Sequence, residues 1–196
     1  ALLEKGWHIA YMMISDMYGC PESVGLMEMF YKYMTEICGL NTRADLFGFS
    51  RGGLYSVNYT VKNPQTISTL YLDAPVLNVT SWPGGYGASE RYPKEWEECK
   101  AVYHLTDETA LSFRGNPIDK MEELLKANVK IIMVAGAVDS VVPYQENGAK
   151  LATYYQENNG EIQVIVKPDC DHHPHSLKNP DPIVSYIVHN FENLKQ

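Results

Sequence analysis

Apolar residues along the chain fall into short runs separated by polar and turn-forming residues. Several runs are continuous, which is typical of strands buried on both faces of a parallel sheet. The pattern predicts strands at about 7–14, 43–49, 67–72, 129–135 and 161–166. Segments with a helical period follow these strands, at about 22–38, 51–62, 117–127, 144–158 and 180–193. Because strand and helix alternate, we expect an α/β fold with a mostly parallel sheet, right-handed crossovers and flanking helices.

The connection from 74 to 116 is longer than the others and is rich in aromatic residues and turn formers. Connections of this length inside a compact domain usually have a function, such as covering an active site. We therefore predict one domain over residues 1–196 with a lid or cap insertion at 74–116. The alternative is a helical excursion that only covers one edge of the sheet.

The composition agrees with a globular domain, since 45% of the 196 residues are apolar and 20% are charged. The formal net charge is −8, and no cluster of Lys and Arg offsets it, so we expect neither nucleic acid nor a membrane surface as a partner. No apolar run has the length of a transmembrane helix, which predicts a soluble chain. A periplasmic or secreted location would require that an upstream signal segment had been removed, and the sequence does not indicate the oligomeric state.

A glycine-containing motif stands between the predicted strand 43–49 and the helix 51–62. Its sequence is Gly48-Phe49-Ser50-Arg51-Gly52, and a GxSxG pattern in a strand-to-helix turn is typical of a nucleophile elbow. In such a turn the serine has strained angles with positive φ, and its Oγ points out of the sheet. We expect the glycines to be required because a Cβ would collide with a neighbouring strand or helix. Ser50 is the candidate nucleophile.

A serine nucleophile needs an acid and a base, which follow it in the chain order Ser, Asp or Glu, His. Asp139 comes just after the strand 129–135, and catalytic groups gather at such carboxyl ends in open parallel sheets. Asp73, at the end of the strand 67–72, is the competing acid. It ranks second because Asp139 lies one strand nearer the segment that carries the histidines.

Three histidines follow the last predicted strand, at positions 172, 173 and 175. His172 is the preferred base because it comes soonest after the strand, and His175 and then His173 are the alternatives. We expect Nε2 of His172 to lie within hydrogen-bond reach of Ser50 Oγ.

A metal site made of these histidines with Asp169 and Asp171 is a different interpretation of the same segment. We expect no metal, because adjacent His172 and His173 would tend to point apart, and the ligands do not come from separate elements. The cysteines at 20, 38, 99 and 170 form no CxxC pair, so they predict neither a zinc site nor a disulfide scaffold.

Together, the elbow, the Asp139 loop and the His172 loop resemble the α/β-hydrolase superfamily over nearly the whole chain. The segment 116–143 with the histidine loop after it looks most like the branch of dienelactone hydrolases and prolyl oligopeptidases. Residues 15–21 and 74–85 suggest a bacterial esterase-like subgroup of that branch.

The resemblance also implies an oxyanion hole, built from the N–H of Arg51 and an N–H from a loop after an earlier strand. By the resemblance, residues 7–14 correspond to the strand that, in the family, comes after the oxyanion loop and the helix that follows it. The chain therefore resembles a fold that lacks its N-terminal strands and that second donor.

The implied reaction is acyl transfer through an acyl-enzyme on Ser50, with no cofactor. We expect a small-molecule or carbohydrate carboxylic ester as the substrate, because the aromatic residues of the insertion suit apolar or sugar faces. Trp82, Tyr86 and Trp96 are the predicted substrate-binding residues and should overhang Ser50. The alternatives are a prolyl-oligopeptidase-like peptidase and a non-catalytic binding domain.

Overall fold

The computed structural model describes residues 1–193, so the last positions of the predicted domain 1–196 lie outside the described residues. In this part of the chain a sheet of four parallel strands has the spatial order β1-β2-β3-β4. The strands are Ala44–Phe49 (β1), Ile67–Asp73 (β2), Lys130–Gly136 (β3) and Ile162–Lys167 (β4). The α/β fold with a parallel sheet that the sequence predicted is confirmed.

Helices precede, connect and follow the strands, and they overlap every helical segment that the sequence pattern predicted. The α-helices are Pro21–Lys32 (α1), Gly52–Lys62 (α2), Pro93–Tyr103 (α3), Asp107–Ala110 (α4), Met121–Lys126 (α5), Gly148–Glu157 (α6) and Asp181–Asn193 (α7). A π-helical segment, Tyr33–Ile37, extends α1. Among the described helices, none combines the length and the apolar character needed to cross a bilayer.

The inner strands β2 and β3 are buried on both faces of the sheet, because their side chains alternate between two hydrophobic clusters. One cluster includes Leu70 and Met133 and joins the sheet to α2, α5 and α6. The other includes Tyr71 and Ile132 and joins it to α7. The sheet is therefore a fixed base for the loops at its carboxyl edge, where β1, β2, β3 and β4 all end.

The strand predicted at 7–14 is wrong, because the structure has no strand there and the sheet begins with β1. Trp7 anchors the start of the segment, where its Nε1–H donates to Asp45 Oδ2 at 2.7 Å. Beyond it Tyr11 and Met13 are 85% and 88% exposed. A strand needs a neighbouring strand to pair its backbone groups, and no described strand lies along this segment. The apolar pattern shows the β preference of the residues but not whether a partner is present.

The insertion at 74–116 contains α3 and α4 and has a hydrophobic cluster of its own. Buried Val79 and Trp96 from the insertion share this cluster with Leu54 of α2 and Val142 of the loop after β3. The insertion therefore packs against α2, which follows Ser50, and against the loop between β3 and α6. Its function as a lid remains a prediction.

Candidate active site

Ser50 forms the turn between β1 and α2, and its φ is 48°. Non-glycine residues rarely adopt this left-handed conformation, so the strained elbow that the sequence predicted is confirmed. The Ser50 N–H donates to the carbonyl of Asp73 at the end of β2, and the Val76 N–H donates to the carbonyl of Ser50, both at 2.9 Å. Backbone bonds to the chain that leaves β2 therefore hold the serine in this conformation.

Two glycines around the serine leave no room for a side chain. A Cβ on Gly48 would lie 2.9 Å from the carbonyl oxygen of Gly52 and would collide with Ser56, and a Cβ on Gly53 would lie 2.7 Å from the carbonyl oxygen of Val76. Gly52 is different, because an added Cβ there would have nothing within 4 Å. The expected collision of a Cβ with neighbouring elements is thus confirmed at Gly48 and wrong at Gly52. The close approach of the backbone occurs at Gly53 instead.

His172 lies between Ser50 and Asp139. Its Nε2 is 2.9 Å from Ser50 Oγ, and its Nδ1 is 2.8 Å from Asp139 Oδ2. The His172 side chain is 7% exposed and that of Asp139 is 2% exposed. With the Nδ1–H donating to the carboxylate, Nε2 carries the lone pair and accepts the hydroxyl proton. The structure thus brings these residues into one hydrogen-bonded chain, and neither His173 nor His175 occupies the place against Ser50.

The carboxylate of Asp139 is held by its own loop. Its Oδ1 accepts hydrogen bonds from the N–H groups of Val141, at 3.0 Å, and Val142, at 2.7 Å. These two bonds leave Oδ2 directed at the imidazole. The loop after β3 therefore fixes the orientation of the Asp139 carboxylate.

A second aspartate, Asp171, ties the acid loop to the histidine loop. Its Oδ1 accepts from the N–H of Ser140 at 2.8 Å and from the N–H of His172 at 2.7 Å. These backbone N–H donors lower the pKa of the Asp171 carboxyl. From the sequence alone this residue is only a candidate metal ligand, although an Asp directly before a histidine in a turn is well placed for such backbone contacts.

Gly136 brings the same two loops close together. A Cβ there would lie 2.6 Å from the carbonyl oxygen of Asp171 and would collide with that of Cys170. The glycine at the end of β3 therefore allows the backbone of the histidine loop to cross directly beside it.

Asp73, the competing acid, pairs with another histidine. Its Oδ1 is 2.9 Å from His175 Nδ1, and its Oδ2 accepts from the N–H of Ser176 at 2.6 Å and from the hydroxyl of Tyr71. The carboxyl is 1% exposed. Burial and the bond to Asp73 raise the pKa of the Tyr71 hydroxyl. The site thus contains two His–Asp pairs, of which only the His172–Asp139 pair contacts Ser50.

The three histidine rings lie together, so the expectation that His172 and His173 point apart is wrong. Their ring centroids are 5.0 Å apart, and those of His173 and His175 are 4.7 Å apart. The loop between β4 and α7 turns sharply enough to bring the three rings together, with His172 buried and His173 exposed.

The residue after the nucleophile, Arg51, carries a network that the sequence argument missed. Its guanidinium makes a 2.6 Å ion pair with Asp16 and lies over the rings of Tyr18 and Trp82, at 5.7 and 6.0 Å. Burial is the main cause that raises the pKa of the Tyr18 hydroxyl, and its hydrogen bond to Glu98 raises it further. The motif at 48–52 showed a cation beside the serine, but its partners come from distant segments.

The predicted substrate-binding aromatic residues occupy three different environments. Trp96 is 1% exposed and donates from Nε1 to Asp107 at 2.6 Å, so it packs inside the insertion and has no free face for a ligand. Tyr86 is 39% exposed and lies against Trp96, with a ring-centroid distance of 5.8 Å. Trp82 is 7% exposed and contacts the guanidinium of Arg51, the residue directly after Ser50. The prediction that all three residues overhang Ser50 is therefore wrong for Trp96, which is buried inside the insertion.

Known structures share this architecture. Dipeptidyl peptidase 4 from Porphyromonas gingivalis matches with a TM-score of 0.64 and 14% identity, over 87% of this chain and 22% of that chain. A puromycin-hydrolyzing peptidase from Mycobacterium tuberculosis matches with a TM-score of 0.60 and 12% identity, over 88% of this chain and 24% of that chain. The chain thus spans less than a quarter of the length of either protein, and at these identities the likeness concerns the fold.

Sequence comparisons identify the family. Comparison with curated protein sequences found no match. Residues 34–192 match the model of the prolyl oligopeptidase family, Peptidase_S9. This range is most of the chain and includes Ser50, Asp139 and His172. The chain therefore belongs to the prolyl oligopeptidase family of α/β-hydrolase-fold serine hydrolases.

Proposed function

We propose that the protein is a serine peptidase that cleaves an amide bond through an acyl-enzyme on Ser50. The observation that carries the proposal is the hydrogen-bonded chain from Asp139 through His172 to Ser50, built on loops that leave the carboxyl ends of β3, β4 and β1. Membership of the prolyl oligopeptidase family supports an amide substrate over the carboxylic ester that the sequence pattern favoured.

In this mechanism His172 Nε2 takes the hydroxyl proton while Ser50 Oγ attacks the substrate carbonyl carbon. The C–N bond then breaks as His172 returns the proton to the leaving amine nitrogen. A water molecule, activated by the same Nε2, cleaves the acyl-enzyme and restores the Ser50 hydroxyl. Asp139 keeps the proton of the neutral ring on Nδ1 and stabilises the imidazolium that forms after each proton transfer.

The N–H of Arg51 is the proposed donor to the oxyanion. In the described part of the chain this N–H donates none of the backbone hydrogen bonds of the turn, so it is available to a ligand. It also stands at the start of α2, where backbone N–H groups point outward and favour negative charge. A preorganised donor of this kind stabilises the charge that develops on the carbonyl oxygen.

The substrate side of the site involves Trp82 and the ion pair of Arg51 with Asp16. Both involve the guanidinium of Arg51, the residue directly after Ser50 in the chain, and together they offer an apolar face and a pair of charges to a peptide. The two similar solved structures are a dipeptidyl peptidase and a puromycin-hydrolyzing peptidase, which agrees with this class of substrate. Tyr86, with its exposed ring, is a more distant candidate for the same surface.

The test is a panel of aminoacyl and dipeptidyl p-nitroanilides, each paired with the p-nitrophenyl ester of the same acyl group. We expect release of nitroaniline from at least one amide, with loss of that release in Ser50→Ala. Amide cleavage is the informative signal, because activated esters are cleaved by peptidases and esterases alike. Ester cleavage that depends on Ser50 without any amide cleavage would contradict the peptidase proposal, and a Ser50→Ala variant as active as the parent would contradict the site itself.

A further inference from the structure

His172, His173 and His175, in the loop between β4 and α7, form a cluster of potential metal ligands. One ring nitrogen of each can be chosen so that all three lie within 4.8 Å of one another. The three ring centroids are 5.0, 5.1 and 4.7 Å apart in pairs. Imidazole nitrogens are the commonest protein ligands for Zn²⁺ and related divalent ions.

Two of these rings have the support that metal-binding histidines usually have. The Nδ1 of His172 pairs with Asp139, and the Nδ1 of His175 pairs with Asp73. Both carboxylates are almost fully buried, at 2% and 1% exposure of the side chain. A carboxylate that accepts the Nδ1–H places the lone pair on Nε2 and makes that nitrogen a better ligand.

A cation can reach the cluster from solvent. His173 is exposed and His175 is 22% exposed, while His172 forms the inner side of the group. Tetrahedral zinc with Zn–N bonds of about 2.0–2.1 Å needs its nitrogens about 3.3 Å apart. The ring nitrogens lie within 4.8 Å of one another, so binding would need their separations to shorten by at most about 1.5 Å. The fourth position would then hold water.

We propose that His172, His173 and His175 bind one divalent transition metal ion, such as Zn²⁺, and that the bound ion competes with Ser50 for the lone pair of His172. The ion would switch off the nucleophile reversibly, because a metal-bound Nε2 cannot accept the hydroxyl proton. Binding of the ion rests on the histidines and their carboxylates alone. Only the inhibition rests on the proposed role of His172 as the base.

Binding is tested first, by isothermal titration calorimetry of the metal-free protein with ZnCl₂. We expect one Zn²⁺ per chain, and in His173→Ala a loss of affinity of about tenfold or more, since one of three ligands is removed. His189→Ala is the matched control, because it removes an exposed histidine of α7 outside the cluster and should bind like the parent. Absence of zinc binding, or equal affinity in His173→Ala and the parent, would overturn the site.

The supporting carboxylate gives a second variant. Asp73→Asn keeps all three histidines but weakens the partner of His175, and a loss of such outer contacts typically lowers metal affinity about 10–100-fold. A melting curve must accompany this variant because Asp73 is buried. Folded Asp73→Asn protein with unchanged zinc affinity would contradict the role of the His175 pair.

Competition with Ser50 is tested by the rate at which a fluorophosphonate labels the serine, which requires no knowledge of the substrate. We expect zinc to slow labelling of the parent protein, EDTA to restore it, and His173→Ala to need at least about tenfold more zinc for the same effect. Zinc binding without any change in the labelling rate would disprove the competition while leaving the binding site in place. Protein that binds zinc but is never labelled would count against the proposed function instead.

Discussion

Replacing Asp139 by Asn tests the orientation of the base with the smallest change in shape. The amide oxygen of Asn would keep the hydrogen bonds from the N–H groups of Val141 and Val142. Its NH₂ group would then face His172 Nδ1, where the carboxylate oxygen stood at 2.8 Å. The ring would accept at Nδ1 and carry its proton on Nε2, which is the wrong tautomer for taking a proton from Ser50.

The expected loss in kcat is about 10⁴-fold, the effect that a wrong tautomer has in triads of this kind. This factor corresponds to about 5 kcal/mol of transition-state stabilisation, at 1.36 kcal/mol for each tenfold change. The free energy of unfolding should fall by only about 1–2 kcal/mol, because the hydrogen bonds are kept but lose their charge assistance. Activity and stability are therefore expected to separate clearly.

The second His–Asp pair supplies a matched comparison. Asp73→Asn makes the same chemical change next to His175, which does not contact Ser50 in this structure. Steady-state hydrolysis of the best p-nitroanilide, in EDTA, should show a far smaller loss in Asp73→Asn than in Asp139→Asn. If folded Asp139→Asn kept kcat within about tenfold of the parent, or if the two variants lost activity equally, the assignment of Asp139 as the orienting acid would be refuted.

Three further predictions concern stability. Gly48→Ala should lower the free energy of unfolding by about 1–3 kcal/mol, and the melting temperature with it, because its Cβ would lie 2.9 Å from the Gly52 carbonyl oxygen. Gly52→Ala is the control: its Cβ has open space around it, so the melting temperature should not fall. The lowered pKa of Asp171 predicts stability that is present above its ordinary value of 3.8 and is lost as the pH falls through the lowered folded-state pKa. The melting temperatures of the parent and Asp171→Asn should therefore differ most above that pH and converge below it, and a constant difference would contradict the assignment. Trp82→Ala should lower the free energy of unfolding by about 3–5 kcal/mol, because the ring is 7% exposed and packs on Tyr18 and Tyr92. The folded variant should also have a raised KM, because the ring contacts Arg51 on the proposed substrate side; an unchanged KM would make Trp82 purely structural.

The elbow and the parallel character of the sheet could be predicted from the sequence because both depend on local patterns. The turn at Ser50 requires a serine between glycines at the end of an apolar run, and all of these residues are adjacent in the chain. The parallel sheet follows from the alternation of elements, which is also visible along the chain. The choice of His172 rested on the same kind of local reasoning, since it depended on distance from the end of β4.

Contacts between distant segments could not be predicted in this way. Asp73 and His175 are 102 positions apart, and nothing in either segment indicates that they form a pair. The segment 7–14 has a strand-like pattern, but pairing depends on a neighbour that the pattern does not reveal. Trp96 illustrates a third difficulty, because a large aromatic residue suits a buried core and a substrate pocket equally well. Burial separates these two uses, and burial is a property of the folded chain.

Covalent labelling of Ser50 is the most direct test of the account. The protein would be treated with a fluorophosphonate, digested and analysed by mass spectrometry, alongside Ser50→Ala and His172→Gln. We predict a single modified peptide that carries the label on Ser50, no label in Ser50→Ala, and labelling slowed by orders of magnitude in His172→Gln, because the hydroxyl is a weak nucleophile without its base. Folded protein that stays unlabelled, or a label on another residue that persists in Ser50→Ala, would contradict the claim that Ser50 is an activated nucleophile.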